Sequence, residues 1–68
     1  MNIHRYIIMN IHNEIIKLLN KERVITSSEL ANFLKISWNT AEKHLLELAL
    51  EGKIIKIKKL GVNLWLLK

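Results

Sequence analysis

Apolar residues return every three or four positions from Asn2 to about Glu22. Ile7, Ile8, Ile11, Ile15, Leu18 and Leu19 draw one stripe down a helix that no Gly or Pro interrupts. Ile3, Tyr6, Met9 and Ile16 lie off that stripe, so this helix carries more apolar surface than one core-facing side needs. Val24 and Ile25 follow as a β-branched pair, long enough for an extended connector or a small strand. Thr26 and Glu29 then have capping-box spacing, with Ile25 and Leu30 at the flanking staple positions. A second helix therefore starts at Ser27, carries Leu30, Ala31 and Leu34 inward and stops near Lys35. Ser37 is suited to cap a third helix, Trp38 to about Glu51, with Ala41, Leu45 and Leu48 as its inner stripe and Leu46, Ala49 and Leu50 widening it. Gly52 is placed to end that helix. Two helices joined through the short turn at Ile36 form a helix-turn-helix candidate. The period then changes: Ile55 and Ile57 alternate with Lys56 and Lys58, and Val62 to Leu67 continue after Leu60-Gly61, which predicts a hairpin. The expected fold class is α+β, three helices followed by a two-stranded hairpin.

Length, composition and charge narrow this picture. At 68 residues the chain is expected to be a single domain, 1–68, too small for a multidomain enzyme. Half of it is hydrophobic and a quarter charged, too apolar for a disordered tail and too interrupted by charge for a membrane span. Eleven Lys and Arg against six acidic residues give a formal charge of +5, which favours an anionic partner. There is no Cys, which excludes disulfides and thiolate metal sites. No signal-peptide pattern opens the chain, so a cytoplasmic protein without membrane attachment is expected.

The stretch from Thr26 to Ile55 resembles the winged helix-turn-helix regulators of the MarR, ArsR and Lrp kinds found in bacteria and archaea. The residues that carry the likeness are Glu29-Leu30-Ala31 near the start of the second helix, Ile36-Ser37 at the turn, Thr40-Ala41, Lys43-His44-Leu45, and Glu51-Gly52-Lys53-Ile54. The likeness covers roughly residues 10 to 68. It implies that the third helix enters the major groove of double-stranded DNA, with Ser37, Trp38, Asn39, Thr40, Lys43 and His44 as its exposed positions. Their chemistry suits that role: Asn39 can pair with adenine, Thr40 can reach a base or phosphate, and Lys43 can reach guanine or phosphate. Glu42 and Glu47 depart from a uniformly basic face. The hairpin would be the wing, with Lys56, Lys58 and Lys59 on the phosphates. The implied protein is a small repressor-like transcription regulator of the sort common in archaea, their viruses and plasmids. It would need no cofactor, small-molecule ligand or catalytic residue.

Each signal also has a plainer reading. A lysine cluster can simply guard the edge of a hairpin against aggregation. Trp38 suits either a core position or an exposed one; Trp65, within an apolar strand, suits packing, and Phe33 and Tyr6 suit core or interface. His4 and His12 lie eight residues apart on one helix, too far to chelate together, so no metal site is expected. Ser27, Ser28 and Ser37 are accounted for as helix starts, and no phosphate-binding Gly-rich loop is present. Residues 1–9 extend the first helix, and Ile3, Tyr6, Ile7 and Met9 there would either cover the helix itself or form a homodimer contact. A dimer would space two recognition helices one DNA turn apart, about 34 Å. The alternative function is a winged-helix protein-interaction module using Trp38, Leu60 and the surface of helix one.

Overall fold

The computed structural model describes the backbone of residues 3–68 and the side chains of residues 11–68. The order of elements is α1 (Ile3–Glu22), β1 (Val24–Thr26), α2 (Ser27–Leu34), α3 (Trp38–Leu50), β2 (Ile54–Lys59) and β3 (Val62–Leu67). Three helices followed by a hairpin is the winged helix-turn-helix arrangement expected from the pattern. Val24 and Ile25 take the strand alternative: β1 pairs antiparallel with β3, so the hairpin belongs to a three-stranded sheet of order β1-β3-β2.

Local chemistry sets the boundaries. At the start of α2 the Thr26 hydroxyl accepts from the Glu29 N–H at 3.0 Å while the Glu29 carboxylate accepts from the Thr26 N–H at 2.8 Å, the reciprocal capping box. The helix ends at Lys35 in the left-handed region, φ 57°, and the Ile36 N–H returns to the Ala31 carbonyl. Ser37 caps α3, its hydroxyl oxygen accepting from the Thr40 N–H at 3.2 Å. At the far end Gly52, φ 78°, lets its own N–H reach Ala49 and that of Lys53 reach Leu48, the paired bonds of a Schellman ending.

The core gathers Ile15 and Leu19 of α1, Ile25, Leu30, Ala31, the Ala41-Leu45-Leu48 stripe of α3, Ile54 and Trp65. Trp65 is fully buried, as its place in an apolar strand implied. One expectation fails here. Leu46 and Leu50 do not widen the inner stripe of α3, because the helix turns them out to 41% and 88% exposure. Of the two readings for Phe33, core or interface, its 56% exposure past the inward face of α2 excludes the core. Ile55 and Ile57 alternate onto the outer face of the sheet, since their neighbours Ile54 and Lys56 occupy the face that holds Trp65. The side chains of Ile3, Tyr6, Ile7 and Met9, the candidate dimer contact, lie outside the described residues.

Candidate nucleic-acid interface

The start of α3 is fixed from both sides, by the cap at Ser37 and by the buried Ala41, Leu45 and Leu48. With the inner stripe committed to the core, Ser37, Trp38, Asn39, Thr40 and Lys43 face solvent. Asn39 and Lys43 are one turn apart and share the outward line of the helix. Ser37 and Thr40 are tied to each other: the Ser37 hydroxyl donates to Thr40 Oγ1 at 2.8 Å, which leaves the Thr40 hydroxyl proton free for an outside acceptor. Of the two readings for Trp38, exposure is the one realised, at 48%. A shallow cleft of about 200 Å³ runs from Trp38 past Ser27 and Ser28 to Gly61 and Asn63. It places the start of α3, the start of α2 and the turn of the hairpin on one surface.

The hairpin lysines are all exposed, but they are not equivalent. Lys56 pairs with Trp65 across the sheet, and its Nζ stands 5.9 Å from the Trp65 ring centroid, a cation–π distance. Lys58, opposite Asn63, shares that face, whereas Lys59 alternates to the other. The turn between β2 and β3 is Leu60-Gly61, both at positive φ (52° and 79°), the pattern of a type I′ hairpin. Glycine adopts that conformation freely. Leucine pays for it in steric strain, and Leu60 is also 94% exposed.

His44 is a correction. It does not stand on the exposed face with Lys43; α3 turns it inward to 8% exposure, where it meets His12 of α1 and Glu47 of its own helix. His12 Nε2 lies 3.2 Å from His44 Nδ1 and 3.1 Å from Glu47 Oε1, and His44 Nδ1 lies 3.3 Å from the same carboxylate oxygen. The two rings meet edge to face, centroids 5.2 Å apart. His12 thus has close partners on α3 rather than any need of His4 on its own helix.

Glu42 is the other acid that departed from a basic recognition face, and it turns toward the sheet. The Trp65 indole N–H donates to Ser27 Oγ at 2.9 Å, the Ser27 hydroxyl donates to Glu42 Oε1, and the Asn63 amide donates to Glu42 Oε2 at 3.0 Å. This chain of bonds ties the start of α2, α3 and β3 together and engages both carboxylate oxygens on the protein itself. Its members are separated by 15, 21 and 38 residues, so no local spacing announces it. The His44–Glu47 pair, by contrast, is an i,i+3 neighbour visible in the sequence; its third member, His12, required knowing how α1 lies against α3.

Three helices with a capped, outward-facing third helix and a lysine-bearing hairpin define a winged helix-turn-helix protein. The DeoR-like helix-turn-helix domain family matches residues 12–59, and the chain belongs to that family. Such a domain makes it a DNA-binding transcription regulator in class, without singling out the MarR, ArsR or Lrp kinds. No curated protein sequence matches the chain. No solved structure matches it either. Among the described residues no helix is long and apolar enough to cross a membrane.

Proposed function

We propose that the chain is a sequence-specific binder of double-stranded DNA that represses transcription by occupying its site. The observation that carries this reading is the outward set Asn39, Thr40 and Lys43 at the capped start of α3, held there by the buried stripe behind it. Asn39 supplies the bidentate geometry for adenine, Lys43 a point charge for guanine or phosphate, and Ser37, Trp38 and the free Thr40 hydroxyl border the groove. The N–H groups of the first turn of α3 favour a phosphate at its entrance. Lys58 and Lys59 of the wing fix the register on the backbone without reading bases; Lys56 contributes charge while covering Trp65. The role is one of binding rather than catalysis, exercised in the cytoplasm, and its likeness to MarR-, ArsR- and Lrp-type repressors lies in the motif from Thr26 to Ile55.

A duplex selected from random sequence and followed by fluorescence anisotropy tests this. Lys43→Glu should lower affinity about tenfold or more with the fold intact by circular dichroism; undiminished binding would overturn the reading. The repressor is further proposed to act as a homodimer through Ile3, Tyr6, Ile7 and Met9. Ile7→Glu should then turn a dimer into a monomer in analytical ultracentrifugation, and a monomeric parent chain would remove that part.

A second reading, a protein-interaction module, draws on the exposure of Trp38 and of Leu60, whose positive φ holds an apolar side chain in solvent at the wing tip. It requires that Lys43→Glu leave function intact and that Trp38→Ala abolish it.

A further inference from the structure

We propose that His12, His44 and Glu47 form a site for a single divalent transition-metal ion of zinc type, clamping α1 to α3. Three observations carry it, none of which depends on DNA binding.

The first is the donor set. Two imidazoles and one carboxylate are ligands suited to Zn²⁺ and its neighbours, whereas Ca²⁺ and Mg²⁺ favour oxygen donors. The second is the spacing. A tetrahedral Zn²⁺ with bonds of about 2.0–2.1 Å sets its ligand atoms about 3.3 Å apart. The three edges here measure 3.1, 3.2 and 3.3 Å, so the ligand atoms already stand close to one face of that tetrahedron. The side chains of His12 and Glu47 are 20% and 41% exposed, so the cluster reaches solvent and a water can complete the fourth position.

The third is proton arithmetic. An ionised Glu47 only accepts, so bonding it to both rings needs a proton on His12 Nε2 and another on His44 Nδ1. Those two nitrogens are themselves 3.2 Å apart, and with both protonated and aimed at Glu47 the edge between them holds no hydrogen bond. With only one protonated, the other nitrogen turns a lone pair on the carboxylate oxygen. No neutral arrangement of tautomers satisfies all three edges. A cation at the centre takes all three lone pairs at once and removes the conflict.

The test is isothermal titration calorimetry of ZnCl₂ into the chain, paired with Co²⁺ absorption spectra. One Zn²⁺ per chain should bind, and Co²⁺ should develop the visible bands of a tetrahedral site. Glu47→Gln, on a part-exposed side chain, and His12→Gln should each weaken Zn²⁺ at least tenfold. His4→Gln should change nothing. Zinc at a hundredfold excess over its Kd should raise Tm by about 10 °C or more, and Glu47→Gln should remove that rise. Absence of saturable binding, octahedral Co²⁺ spectra, or binding that survives Glu47→Gln and His12→Gln while His4→Gln abolishes it, would each overturn the proposal.

Discussion

Glu42 and Glu47 sit on the same helix, both half-buried, and each gathers two partners from other parts of the chain or its own helix. Glu42 receives two protons, from the Ser27 hydroxyl and the Asn63 amide, and the Ser27 oxygen in turn receives the Trp65 indole proton. Each contact in this set has one donor facing one acceptor, so no close edge is left without a proton. Glu47 meets two imidazole nitrogens that must share too few protons among three close contacts. The first cluster works as a lock between elements, and the second is the one proposed above to take a metal ion.

Trp65 is the hub on the Glu42 side. Trp65→Ala empties the centre of the core and removes the donor to Ser27, and should cost roughly 3–5 kcal/mol, enough to unfold a domain of this size in urea melts near room temperature. A folded Trp65→Ala chain of unchanged midpoint would mean that the lock holds little. Glu42→Gln is the sharper test, because the amide keeps the shape but turns an NH₂ toward one of two donors. It should destabilise by roughly 1–3 kcal/mol. Gly61→Ala should cost about 1 kcal/mol by forcing a side chain into the left-handed region at the hairpin turn, a loss read by thermal melting that touches neither cluster. Glu47→Gln, the same chemical change as at Glu42, should shift the metal-free chain by less than about 0.5 kcal/mol, as for other part-exposed ion pairs. Equal losses at Glu42 and Glu47 in chelator-treated protein would erase the distinction between the two clusters.

Elements and their ends were legible because they are decided locally. The Thr26–Glu29 box, Ser37 ahead of Trp38 and Gly52 behind Leu50 all act within a turn of their own position, and each appears in the structure where its spacing put it. The exposed start of α3 was legible for the same reason, since Ala41, Leu45 and Leu48 fix which side faces out. What the pattern misread depends on partners far along the chain. His44 looked like the next exposed residue after Lys43, yet at this point on the wheel the helix passes over His12 of α1. Leu46 and Leu50 looked like core because they are apolar, but no element covers that side of α3 among the described residues. β1 could be read either way from two β-branched residues, and only the edge offered by β3 decides for a strand. The Ser27–Glu42–Asn63–Trp65 chain has no local signature, since every bond in it spans a tertiary contact.

The DNA reading rests on charge and hydrogen bonding at the start of α3 and along the wing, and charge leaves a measurable trace in salt. Affinity for random-sequence duplex DNA, measured by anisotropy across a salt series, should fall linearly on a log–log plot with a slope near −0.9 for each phosphate contacted. Lys43 and the wing lysines together imply a slope corresponding to about three or more contacts, reduced by about one in Lys58→Ala. No binding at low salt, or binding indifferent to salt, would contradict the account and leave the exposed Trp38 and Leu60 as a surface for another protein.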